Sequence, residues 1–223
     1  MKINLKVSQV DSNGDIHYGF SYRDINVIAD KNTNPEIIAA MKKSFKGIAG
    51  IKGNLVITSS GKVKNKKFIV PKTIDPMLSQ TLEQLNKSTD QLSVSFPSST
   101  VGLGAKWRVN NSIETMGIKF NQASTYEVLK IDRQGMTIKT DIVQSSPTQD
   151  IVLPGVPKGF KAKIISLNST GGGTYVVKFN SLLPISGQLS INTDTQMSMQ
   201  FESTKPPVKI DSQLLVDLNM MTK

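Results

Sequence analysis

Cysteine is absent from all 223 residues. The chain therefore has no disulfide framework, thiol nucleophile or cysteine-based metal site open to it. His17 is the only histidine. It sits in the alternating stretch DIHYGFSY with no nucleophile motif beside it, so a Ser-His-Asp arrangement has no support. No apolar run approaches the ~18 residues of a membrane-spanning helix. Acidic residues are missing from the whole interval between Glu36 and Asp75.

The glycine and carboxylate motifs are equally bare. Gly171-Gly172-Gly173 is followed by neither Lys nor a helix signal, so it is no phosphate loop; it reads as a link between two strands. Asp11-x-Asn13-x-Asp15 begins like a calcium loop, but Tyr22 stands where the closing Glu belongs, and the stretch reads as a turn. Asp132, Asp141, Asp150 and Asp194 are scattered, with no acid-base pair among them. The sequence thus predicts a non-enzyme with no cofactor and no metal.

What is present is β-alternation. In Gly187–Phe201, Leu189, Ile191, Met197, Met199 and Phe201 fall on one parity and Gln188, Ser190, Asn192, Asp194 and Gln196 on the other. Period two over that length predicts a strand about 45 Å long with one apolar face, set in a large sheet. Ile3, Leu5, Val7 and then Ile16, Tyr18, Phe20, Tyr22 make a hairpin around Asp11–Gly14. Leu55, Ile57 and Val63, Phe68, Val70 make a second around Ser59-Ser60-Gly61.

Two segments carry helix-start chemistry. Asn34-Pro35-Glu36 opens one, followed by Ile37, Ile38, Met41, Phe45 and Ile48 at helical spacing. Asp75-Pro76 opens the other, with Met77, Leu78, Leu82 and Leu85 behind it. The expected fold is α+β: one or two large curled antiparallel sheets, or a half-barrel, covered by helices near Pro35–Ile48 and Pro76–Asp90. A single domain over 1–223 is expected, joined near residue 100 by the Pro/Gly-rich stretch FPSSTVGLG. Leu5–Gly14 (LKVSQVDSNG) aligns with Tyr126–Gly135 (YEVLKIDRQG), and Gly53–Ser59 with Gly187–Thr193. Two duplicated ββ-x-ββ halves, 1–100 and 101–223, account for both matches; shared turn chemistry accounts for them too.

Phe96-Pro97, Val101-Gly102-Leu103-Gly104 and Lys106-Trp107, with Pro184-Ile185-Ser186-Gly187 further on, resemble segments of a family of exported bacterial lipoprotein-like proteins with an uncharacterised domain. The resemblance spans roughly residues 90–201. That family has no established activity, so it implies no functional residue. Its implication is export, with a signal sequence removed and a periplasmic or envelope location; the cytoplasm is the alternative. The architecture is also similar to the envelope lipoprotein carriers, whose curled sheet and helices enclose an apolar cavity.

Two residue groups are candidates for binding. Met116, Phe120, Met136, Met197, Met199, Phe201 and Trp107 are placed to line an apolar cavity for a lipid-like ligand, since methionine adapts to irregular apolar shapes. A filled core fits the same pattern. Nine lysines lie between Glu36 and Asp75, and the rest of the chain balances 18 basic against 17 acidic residues, so nearly all of the net charge of +10 lies in one segment. Lys42, Lys43 and Lys46 on the first helix, with Lys62, Lys64, Lys66 and Lys67 on the hairpin, are expected to face an anionic membrane surface. A solvated face that protects a sheet edge is the other reading. Nucleic acid fits poorly, because the segment has no arginine and only Phe45 and Phe68 as aromatics. Two functions are consistent with all this: an envelope protein binding an apolar ligand, or an envelope interaction module with none.

Overall fold

The computed structural model describes residues 3–23, 47–70, 94–115, 118–151, 159–179, 183–201 and 206–221, with single positions at 35, 39, 42, 79 and 82. The chain divides into two compact units, Met1–Phe96 and Pro97–Lys223.

The first unit is a four-stranded antiparallel meander. It consists of β1 (Ile3–Val10), β2 (Ile16–Tyr22), β3 (Lys52–Ile57) and β4 (Val63–Ile69), in that spatial order. Its core lies on the odd-even phase legible in β2, where Ile16, Tyr18, Phe20 and Tyr22 alternate buried with half-buried neighbours. Leu55, Ile57, Ile48, Ile51 and Val94 are also buried. Burying a side chain of this size contributes about 1.5–3 kcal/mol. Phe20 meets Phe68 edge-on at 5.3 Å, and Tyr22 stacks on Phe68. The partner faces on β1 are open: Leu5 and Val7 oppose Phe20 and Tyr18 but stay exposed at the sheet edge.

The second unit is a seven-stranded antiparallel sheet. Its strands are β5 (Lys106–Thr115), β6 (Ile118–Ile131), β7 (Gly135–Ser146), β8 (Gln149–Ile151), β9 (Lys161–Lys178), β10 (Pro184–Gln200) and β11 (Val208–Met221). The path runs β11-β10-β9-β7-β6-β5, with β8 pairing β9 beside it. β7 and β8 share one lane along β9, since Ser146 opposes Leu167 and Gln149 opposes Ile164. Pro147 interrupts the lane because it has no N–H to give. The Thr148 hydroxyl donates instead to the Ile165 carbonyl at 2.9 Å.

Four expectations are corrected. The fold is not α+β: it is two antiparallel sheets, and no helical element occurs among the described residues. The segments Pro35–Ile48 and Pro76–Asp90 fall largely outside those residues; single described positions in them have helical backbone, which makes no element. Capping signals are local and say nothing about how much sheet surrounds them. The duplicated halves fail on topology. The strand matched to Gly53 is β3, which pairs β2, whereas the strand matched to Gly187 is β10, which does not pair with β7. The glycine triplet is no link: β9 runs through it for 18 residues. A Cβ on Gly171 or Gly173 would overlap the carbonyl oxygens of Ser190 or Gln188, so here glycine lets β9 and β10 approach closely. Pro147 to Lys158, with Pro154 and Pro157, reads as a loop in the sequence, but Gln149–Ile151 within it is strand.

Candidate functional site

The pairing defines one face of the second unit row by row. One row is Trp107, Tyr126, Thr140, Gly173, Leu189 and Leu218, and the next is Val109, Ser124, Ile142, Gly171, Ile191 and Val216. A third, below the first, is Val128, Ile138, Tyr175, Gly187 and Met220. We call this the inner face. Its middle strands hold the closed positions: Val128, Ile138 and Val177 toward one end and Ile164 toward the other are essentially without solvent contact. Its β11 side is open, with Val208 at 51%, Leu214 at 57% and Leu218 at 49% exposure.

The seven candidate apolar residues do not converge on one pocket. Met197 and Met199 pack against the buried cluster of Ile151, Ala162 and Ile164, together with Ile118, Phe160 and Leu167. Phe160 meets Phe201 edge-on at 5.5 Å, and Phe201 remains 59% exposed. Phe120, opposite Ile113, lies toward the same end. Met136 is at the other end, opposite Val177. Trp107 stands on β5 and stacks on Tyr126 at 5.3 Å. Met116 lies outside the described residues.

The sequence reading missed a polar band between the two apolar ends. Gln144 donates to Gln122 at 2.7 Å, and Gln122 donates to Ser124 at 3.0 Å. The Ser169 and Thr193 hydroxyls lie 2.8 Å apart. Ser124, Thr140 and Ser169 are buried. The Thr140 hydroxyl has no partner among the described residues, which carries a desolvation cost of about 1–3 kcal/mol. The signal was legible: Gln122, Ser124 and Tyr126 occupy the inward phase of β6, where an ordinary core would be aliphatic. Burial pushes the Tyr126 phenol up, and burial together with nearby Tyr126 pushes Tyr175 up to about 12. Both phenols stay neutral donors at ordinary pH. An open groove of about 410 Å³ lies elsewhere, lined by Asp132, Arg133, Gln134, Gly135, Val176, Lys178 and Ile185.

The lysine surface expected in the first unit is broken up. Lys64 lies 2.8 Å from Asp15, a residue only 4% exposed, so its ammonium is committed to an ion pair within the unit although its side chain is itself exposed. A pairing shift between Val56 and Ile57 sets Asn65 opposite Val56 and Val63 opposite Ile57. That bulge places Lys66 on the same face as Val63 and Phe68, opposite buried Leu55, so Lys62, Lys64 and Lys66 do not share a strand face. Lys42, Lys62 and Lys67 are not buried; Lys43 and Lys46 lie outside the described residues.

The first turn is structural. His17 Nε2 lies 2.8 Å from Asp11, and Gln9 donates to the other oxygen of that carboxylate at 2.7 Å. These contacts, led by His17, hold Asp11 below its ordinary range. Asn13 accepts from the Asp15 N–H. No group of three metal-ligating side chains occurs among the described residues.

No family model, curated protein or solved structure matches the chain.

Proposed function

We propose that this is a non-enzymatic protein of the bacterial cell envelope that binds an apolar, lipid-like ligand on the inner face of its seven-stranded sheet. The observation that carries the reading is the uneven cover of that face. It is most deeply buried on β7 and β9, at Ile138, Ile142, Ile164 and Val177, and open along β11, where Val208, Leu214 and Leu218 are about half exposed. Apolar surface of this kind, continuous with a core, marks binding sites. The half-buried Met197 and Met199 supply adaptable walls, with Phe160 and Phe201 beside them. The polar band of Gln122, Gln144, Ser169 and Thr193 supplies the few fixed polar groups that orient a ligand in an apolar site. Envelope location rests on the resemblance at Phe96–Trp107 and Pro184–Gly187 and on the Ser/Thr/Asn/Gln-rich outer strand faces. Native mass spectrometry of detergent-free protein tests the binding. A retained species of lipid mass supports it; a bare chain that also takes up no added fatty acid contradicts it.

A second reading, an interaction module with no small ligand, rests on a different observation. β11 is a long strand at the sheet edge and is exposed on both faces, with Leu215 at 63% on the outer one. An open edge of this kind invites strand pairing.

A further inference from the structure

We infer that the two edges of the seven-stranded sheet, β5 and β11, are complementary and pair between two copies of this chain. Three observations lead there.

The first is direction. Every neighbouring pair along β11-β10-β9-β7-β6-β5 is antiparallel. Six strands in alternation leave β5 and β11 pointing opposite ways, so β5 of one copy meets β11 of another as a regular antiparallel neighbour.

The second is register. Inner-face residues must meet inner-face residues, because a slip of one residue would turn one strand inside out. Among the registers that obey this, one sets Trp107 against Val216, Val109 against Leu214, Asn111 against Ser212 and Ile113 against Ile210. On the outer face it sets Lys106 against Asp217 and Glu114 against Lys209, and lays the Arg108 stem over exposed Leu215. Each inner pair matches apolar with apolar or polar with polar, and both charge pairs are opposite in sign. Sliding by two residues one way gains Arg108 against Asp217 but puts Glu114 against Asp211, a like-charge pair, and sets Asn111 against Leu214 and Ile113 against Ser212, polar against apolar on the inner face. Sliding by two the other way sets Asn111 against Ile210 and removes both charge pairs. Cross-strand pairs of opposite charge stabilise a sheet and like charges opposite one another destabilise it.

The third is that the charges on β11 face uncharged residues across their own sheet. Asp217 lies opposite Ser190 and Lys209 opposite Ser198. Lys106 already lies 3.3 Å from Glu127 with its side chain 64% exposed, and it has room to serve a second carboxylate. The exposed Val208, Leu214 and Leu215 would be covered by the same pairing. Two copies, each giving β5 to the other's β11, satisfy both edges at once and close the assembly.

The absence of cysteine makes the test clean. Full-length Val109→Cys and Leu214→Cys variants are mixed under mild oxidation, with Val109→Cys and Ser212→Cys as the register control. The expected result is a mixed disulfide dimer from the first pair, at least severalfold above the control. In sedimentation velocity the wild type associates with rising concentration, and Asp217→Lys/Lys209→Glu remains monomeric with unchanged circular dichroism. These substitutions face serines and the outer surface, so they leave the inner face intact and separate this result from ligand binding. A concentration-independent monomer, or a cross-link no stronger than the control, would overturn the inference. So would a disulfide that forms only within a chain carrying both cysteines, which would mean that the sheet closes on itself.

Discussion

The Nζ of Lys64 lies 2.8 Å from the Oδ2 of Asp15, joining β4 to the start of β2. The pair also shifts two titrations. The hydrogen bond from Lys64 is the largest influence holding the Asp15 carboxyl below its ordinary 3.8, and the same bond holds Lys64 above its ordinary 10.5. A depressed carboxylate contributes stability above its unfolded value, and loses it as pH falls through the folded value. A raised lysine contributes stability below its unfolded value, and loses it as pH rises through the folded one.

The acid limb follows. Asp11, Asp15 and Asp132 are all depressed: Asp11 mainly by His17, Asp15 mainly by Lys64, Asp132 mainly by the Gln134 and Gly135 backbone N–H groups. Urea midpoints should be flat near neutrality and fall as pH drops below 3.8, the ordinary value of these carboxyls. Asp15→Asn should lower the midpoint at neutral pH and flatten the acid slope. Lys64→Met should do the same at neutral pH. An unchanged acid slope in both variants would mean the pair is not coupled to folding.

Gly173 is the second point of test. An added Cβ would overlap the Gln188 carbonyl oxygen. Gly173→Ala should therefore destabilise by about 1–3 kcal/mol, although alanine outside such a contact costs a strand less than glycine does. Chemical denaturation reads it directly. A gain in stability would show that β9 and β10 are not held so close.

Thr140 tests the polar band. Its buried hydroxyl lacks a partner among the described residues. Thr140→Val keeps the shape and removes the unsatisfied group, so thermal stability should hold or rise, by up to about 1–3 kcal/mol. A clear loss would reveal that the hydroxyl is bonded in solution.

Membrane attraction, proposed from the lysine-rich segment, is to be tested at the exposed positions alone. Lys64→Glu would break the Asp15 pair and confuse surface charge with folding. Lys62→Glu/Lys67→Glu should cut co-sedimentation with anionic vesicles at low salt, at about 1 kcal/mol per lysine near the membrane. The wild type should release as salt approaches physiological strength, where the Debye length is about 8 Å. Equal sedimentation of variant and wild type would mark these lysines as a solvated face.

Strand identity was legible wherever side chains alternate cleanly. β2 and β10 were readable because one parity holds Ile16, Tyr18, Phe20, Tyr22 or Leu189, Ile191, Met197, Met199. Alternation says which residues share a face, however, and not which part of the face is covered. Ile138 and Leu218 make the difference plain: Ile138 is sealed in the sheet centre, while Leu218 on the same face lies at its edge and is half exposed. The glycine triplet was misread because glycine in isolation signals a turn; only the packing of β10 against β9 reveals a close approach. The face of Lys66 was misread because a bulge changes parity without changing composition. The polar band was visible as Gln122 and Ser124 in an inward phase, but the hydrogen-bond partner Gln144 comes from β7 and is set by register.

Displacement of a fluorescent fatty acid from the detergent-free protein is the most direct measurement of the proposed function. Saturable uptake by the wild type is expected, weakened at least severalfold in Leu218→Lys, which places a charge on the open inner face beyond the residues that β5 of a second copy would cover. A wild type that gives no saturable signal, or a Leu218→Lys variant that binds as well as it does, would contradict ligand binding on this face.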